Sequence, residues 1–251
     1  MPQHAALLET ADSSVPIYLF RSSDWDAGAD VPEALKAQAS AQAFKGSAGQ
    51  MVISADQDGA ISGVLFGVGE GTDALAVAAL SSKVPEATYH IASDAGYKMA
   101  KIAAGWADGA YRFDRYLSEP ATPPRLVVGD GSEGDAMIRE AVAIDRLRDL
   151  VNTPAEDMGP ADIQGTISDL AERYGATLET VIGDALLDRN YPMVHAVGRA
   201  GPQPPRIMEL TWGNPEHKQL AVVGKGVAFA TGGLNLKPGN YMRLKKQDMG
   251  G

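Results

Sequence analysis

The chain contains no cysteine. Disulfides, thiolate metal sites and a cysteine nucleophile are therefore excluded. It is also short of basic residues, with 22 Lys and Arg against 32 Asp and Glu in 251 residues, a formal charge of -10. Nucleic-acid binding needs a basic face, so a nucleic-acid partner is not expected. No apolar run has the length of a bilayer-spanning helix, so no membrane association is expected. The opening "MPQHAALLETADSSVPIYLF" lacks the basic and apolar regions of a signal peptide. These absences lead to the expectation of a soluble, cytoplasmic chain. An H-E-x-x-H helix and a G-x-S-x-G elbow are also missing, so neither a zinc helix of that type nor an α/β-hydrolase serine site is supported.

Hydrophobic residues make up 45% of the chain, enough for a real core. In the first half, short apolar runs alternate with helical patterns. "VPIYLF" (15–20), "QMVISA" (50–55), "ISGVLFGV" (61–68) and "ATYHIAS" (87–93) read as strands. "TDALAVAALSSKV" (72–84) reads as a helix with Thr72 as its cap, and residues 95–113 as a longer one. The alternation predicts an α/β fold. Residues 118–134, rich in Pro, Gly and acids, read as a linker with one short strand, "PRLVVG". The expected organisation is an N-terminal α/β domain over 1–117, then the linker, then a second α/β domain over 135–251. In that second part, Met137, Ala141, Ile144 and Leu147 recur at helical spacing until Pro154 stops the helix. A second helix begins near Pro160 and ends before Gly175. "TLETVIG", "PRIMELTWG" and "QLAVVGKG" read as strands, the last of them buried.

Few residues suggest chemistry. The four histidines, His4, His90, His195 and His217, do not pair at a metal-binding spacing. His195 stands out because Gly198 and Arg199 follow it closely, although packing explains it more simply. "FGVGEGTD" (66–73) follows a strand and precedes a helix, the place of a phosphate loop. It lacks the G-K-[ST] ending, and its glycines fit a dinucleotide motif only loosely.

The last 29 residues, "VGKGVAFATGGLNLKPGNYMRLKKQDMGG", are more informative. A strand ending at Lys225 would deliver a lysine to the end of a sheet, where functional groups gather. Glycines then allow tight turns, and Lys237 and Asp248 follow. Two lysines and an acid could form an anion cradle, or a site where a lysine amine binds a metal. Spacing leaves both readings open.

This segment resembles the metal-binding segment of the leucyl aminopeptidase (cytosol aminopeptidase) family of dinuclear metallopeptidases. The family pattern is roughly V-G-K-G-[ITV]-x-F-D-[ST]-G-G-[LIY]-x-[LI]-K-P, followed by D-M-G-G. "RDLVNTPAEDMGPADI" and "YPMVHAVGRA…PRIMELTWG" resemble the segments upstream of it, so the likeness covers Asp135 to Gly251. It implies a catalytic domain with a mixed central sheet, a cytoplasmic homohexamer, and peptides as substrates. It also implies two Zn²⁺ or Mn²⁺ ions whose bound water attacks the peptide carbonyl. By position, Lys225 would ligate the more exchangeable metal and Asp248 the same metal. Lys237 would be the catalytic lysine that polarises the carbonyl oxygen.

The sequence departs from that pattern. Ala230 stands where the family has the aspartate that bridges the metals, and a methyl group cannot ligate a cation. Lys245 replaces an apolar residue of the substrate pocket. The family's later N-T-D-A-E-G-R motif, which holds the remaining ligands, does not occur, so the chain reads as C-terminally truncated. The resemblance therefore implies an aminopeptidase lineage whose site is incomplete in this chain. The alternative is a pseudo-enzyme or scaffold that binds protein partners or active family subunits.

Overall fold

The structure is a computed structural model, and it describes residues 3–25, 30–71, 73–228, 236–244 and 246–250. The chain folds into two compact units, Met1–Asp145 and Arg146–Gly251. No helix among the described residues is long and apolar enough to cross a membrane.

The first unit is an α/β layer structure with a mixed six-stranded sheet. Its strands are β1 (Leu7–Leu8), β2 (Val15–Phe20), β3 (Met51–Ala55), β4 (Ile61–Gly67), β5 (Thr88–Asp94) and β6 (Arg125–Val127). They lie in the order β1-β6-β5-β2-β4-β3, all neighbours parallel except the β3–β4 hairpin. Successive side chains in a strand point to opposite faces. Ile17, Leu19, Val64 and Phe66 accordingly enter the larger core, beside Ile102 and Trp106 of α3 (Met99–Ala110). Val52 and Leu65 enter the other core, beside Leu35 and Ala39 of α1 (Glu33–Ala41).

The strands expected at 15–20, 50–55, 61–68 and 87–93 are present as β2, β3, β4 and β5. The helix expected over 95–113 is shorter, because Ala95 and Gly96 take positive φ in a turn that Asp94 caps through the Gly96 amide. The 72–84 segment forms a 3₁₀ turn (Ala74–Val77) running into the short helix α2 (Ala78–Ser81). Asp73 caps that turn by accepting from the Leu75 amide; Thr72 lies outside the described residues. Residues 118–134 supply β6 and the start of α4 (Gly131–Asn152), whose Ile138 and Ala141 join the larger core. Ile144 and Leu147, on the apolar spacing of the same helix, stay about two-fifths exposed.

The second unit contains the end of α4, then α5 (Pro160–Tyr174), β7 (Thr177–Ile182), α6 (Ala185–Asp188), α7 (Pro192–Gly198) and β8 (Arg206–Thr211). α5 ends on Gly175 in the left-handed conformation, as its sequence predicts. β7 and β8 form an antiparallel pair against it. Met158, Ile163 and Met249 make a small core here, joined by Leu150, Ile167 and Met208.

"QLAVVGKG" is the main correction. Residues 219–226 form no strand, and Leu220, Val222 and Val223 are 87%, 86% and 95% exposed. An apolar run becomes a buried strand only where neighbouring strands bond to it and both faces are covered. Among the described residues, the only strands of this unit are β7 and β8, and they pair with each other.

Tyr89 offers a test of the larger core. Its ring is fully buried 5.6 Å from that of Trp106, and its hydroxyl donates to the Pro85 carbonyl at 2.9 Å. Burial disfavours the phenolate and pushes the hydroxyl up to about 12. Between the ordinary tyrosine value and that one, the unfolded chain has lost a proton that the folded chain retains. Stability therefore falls as pH rises through this window, by on the order of 2 kcal/mol from this group. Urea unfolding at pH 8 and pH 11.5 should show the gap between wild type and Tyr89→Phe shrinking at the higher pH; a constant gap would contradict the assignment.

Candidate functional site

The glycine loop after β4 is fastened from inside. The Gly71 carbonyl accepts from Arg21 Nη1 at 2.8 Å and from the Tyr97 hydroxyl at 2.8 Å. Arg21 Nε donates to the Ala95 carbonyl at 3.1 Å, and its guanidinium lies 5.1 Å from the centre of the Tyr97 ring. The Gly69 amide donates to the Gly46 carbonyl, and the Glu70 carboxylate accepts from the Ser23 amide at 2.6 Å. A phosphate loop offers its amides to an anion. Here an amide and a carbonyl are used within the fold, the nearby cation is bound to carbonyls, and an acid stands at the tip. The arrangement gives no support to nucleotide binding.

Three of the histidines have a side-chain hydrogen-bond partner. His4 pairs with Asp145 at 2.8 Å and accepts from the Ala6 amide at 3.1 Å. His90 shares a hydrogen bond with Ser14, and His195 pairs with Asp184 at 3.0 Å on the short helix α7. His217 lies on an exposed turn, its amide bonded to the Asn214 carbonyl.

Two residues of the C-terminal segment, Lys225 and Asp248, meet. Lys225 lies in irregular chain, Lys237 just before a 3₁₀ turn (Gly239–Leu244), and Asp248 within a second such turn (Gln247–Gly250). Lys225 Nζ donates to Asp248 Oδ2 at 2.6 Å across 23 residues of sequence. The hydrogen bond from Lys225 and its positive charge, with a smaller contribution from Lys237, hold the Asp248 carboxyl below the usual aspartate value. Lys225 and Asp248 are 60% and 61% exposed, so water screens the pair. Ala230 and Lys245 lie outside the described residues.

This donor set does not fit a two-metal centre. Among the described residues, no three of His, Asp and Glu gather where they could hold a metal ion. Catalytic zinc sites use three protein ligands. Among the described residues there are two candidates, and in this structure Lys225 donates to Asp248, whereas a ligating lysine must offer a lone pair.

Two residues beside Asp248 escaped the sequence reading. Lys246 is buried, and its Nζ donates to the Leu150 carbonyl at 2.9 Å. Met249 is buried in the small core of the second unit. The M-G-G that follows Asp248 hinted at a packed turn, but Lys246 carried no local signal.

The matches to known proteins follow the same division of the chain. The profile of the "Cytosol aminopeptidase family, catalytic domain" matches residues 145–251. That of the "M17 aminopeptidase, N-terminal domain" matches residues 15–128. The chain is 34% identical over 172 residues to a probable cytosol aminopeptidase of Nocardia farcinica, covering 62% of this chain and 33% of that protein. It is 33% identical over 159 residues to one of Aquifex aeolicus, covering 60% and 32%. It thus spans about a third of the length of these curated relatives. Among solved structures, the cytosol aminopeptidase of Coxiella burnetii superposes with a TM-score of 0.81 at 27% identity, over 98% of this chain and 54% of the other. A bottromycin maturation enzyme in complex with Mn matches with a TM-score of 0.71 at 30% identity, over 96% and 54%.

The ion pair makes a measurable difference. Its contribution is complete above the ordinary aspartate value and is lost as pH falls through the lower folded value. In a carbon-13 NMR titration, the Asp248 carboxyl should titrate below ordinary aspartate and return toward it in Lys225→Ala. An unchanged midpoint in that variant would disprove the pairing.

Proposed function

The chain belongs to the cytosol aminopeptidase family, and on that premise we propose that it carries groups of a site for removing N-terminal residues from peptides. The observation that carries this reading is the meeting of Lys225 and Asp248 at 2.6 Å, with Lys237 close enough to add to the field on the carboxylate. In this reading Lys225 and Asp248 are the metal-side pair. Lys237 is the cation for the carbonyl oxygen of a bound peptide, where a fixed positive charge steadies the oxyanion that forms during attack. Zinc or manganese would supply the hydroxide in a complete site. Manganese is the ion held by the bottromycin enzyme.

We further propose that this chain does not hydrolyse peptides by itself. Ala230 offers no donor at the position of the bridging aspartate, and the two candidate donors are committed to each other. A cytoplasmic setting and a homo-oligomeric assembly of the family type belong to the same proposal.

The exposed run Leu220–Val223 favours a second reading, in which the chain is a scaffold that binds another polypeptide. An exposed apolar segment outside the strands of its own unit is a natural place for another polypeptide to dock. Val222→Glu should then abolish binding to active family subunits and leave the Lys225–Asp248 pair intact, whereas undiminished binding by that variant would remove the second reading.

For the first reading, dialysed chain supplemented with Mn²⁺ or Zn²⁺ should give no metal-dependent release of p-nitroaniline from leucyl-p-nitroanilide. Turnover above that of Lys237→Ala would overturn the proposed inactivity.

A further inference from the structure

Asp248 and Lys225 cannot hold each other in place unaided. Both side chains are more than half exposed, and an exposed ion pair contributes too little to order a turn. The hold comes from the residues flanking Asp248.

On one side is Lys246. It is only 8% exposed, and a buried ammonium is costly unless an acceptor meets it. One acceptor is the Leu150 carbonyl, 2.9 Å away in the last turn of α4. Carbonyls there lack a helical partner and form the negative end of the helix dipole, so a cation is favoured. The neighbouring Asp149 carbonyl is already taken by the amide and hydroxyl of Thr153.

On the other side is Met249, 4% exposed in the core with Met158 and Ile163, its amide donating to the Lys246 carbonyl at 2.8 Å. Gly250 then packs directly on α4. A Cβ at that position would lie 2.5 Å from Leu147 Cδ1 and 3.2 Å from Val151 Cγ2.

We propose that Lys246 is the positioning residue of this half-site: by capping the C-terminal end of α4 it sets the 247–250 turn so that Asp248 faces Lys225. The inference rests on reading Lys225 and Asp248 as the site pair. It assigns to the neighbouring lysine, which touches neither of their reacting atoms, the task of presenting the carboxylate.

The test compares nitrogen-15-labelled wild type, Lys246→Met and Lys246→Arg. Three quantities are followed: Met249 amide exchange, the Lys225 ¹⁵Nζ signal sustained by its ion pair, and the urea midpoint. Lys246→Met should speed Met249 exchange by about tenfold or more and erase the Lys225 signal. Lys246→Arg, which keeps a cation at the helix end, should restore both to within about twofold of wild type. If Lys246→Met leaves the exchange rate and the Lys225 signal unchanged, or if Arg fails to rescue them, the positioning role is overturned. A lowered urea midpoint with the Lys225 signal intact would also overturn it, because that is what a purely structural lysine would do. Should Lys246→Met not fold, Lys246→Gln keeps a donor, loses the charge and is judged by the same outcomes. Peptidase activity is a separate measurement, so failure of the site reading and failure of the positioning would be distinguishable.

Discussion

The Lys225–Asp248 ion pair joins two stretches of the C-terminal segment across 23 residues of sequence, and it does so in reach of solvent. Lys225 and Asp248 lie far apart in sequence and meet at 2.6 Å. Each satisfies the other's charge, and Lys237 adds to the field that keeps Asp248 ionised. On the proposed reading, those two groups would turn from each other to a cation, which further donors would have to hold. Ala230 brings none.

The meeting of the pair depends in turn on packing. The turn that bears Asp248 sits against the end of α4 through one buried ammonium, one buried methionine and one glycine. Dipole, apolar burial and close backbone approach act on successive residues there. A solvent-screened ion pair can then persist without having to order the chain itself. The first unit shows the opposite use of a cation. Arg21 is spent on the carbonyls of Gly71 and Ala95, closing a glycine loop whose sequence position suits a phosphate.

Much of the fold was legible because it is local. Val15–Phe20 and Ile61–Gly67 are short apolar runs bounded by turn residues, and they became central strands. Pro160 and Gly175 bracket α5 as proline and glycine ordinarily do. The long helix shrank at its start because Ala95 and Gly96 adopt a turn that apolar spacing does not reveal. The run at Leu220–Val223 misled for a different reason. Its pattern is that of a buried strand, but burial requires neighbours, and a pattern of side chains does not say whether they are present. Among the candidate residues, Lys225, Lys237 and Asp248 stand out in an ordered motif that resembles the family's. Lys246 was not, because its partner is a backbone carbonyl 96 residues away, which has no signature in sequence.

On the proposed reading, the donors among the described residues are too few to hold two ions. Metal content measures this most directly: the chain is equilibrated with excess Mn²⁺ or Zn²⁺, desalted and analysed by mass spectrometry for bound metal. Well under one ion per chain is expected, unchanged by Asp248→Asn. Two ions per chain, lost on that substitution, would contradict it.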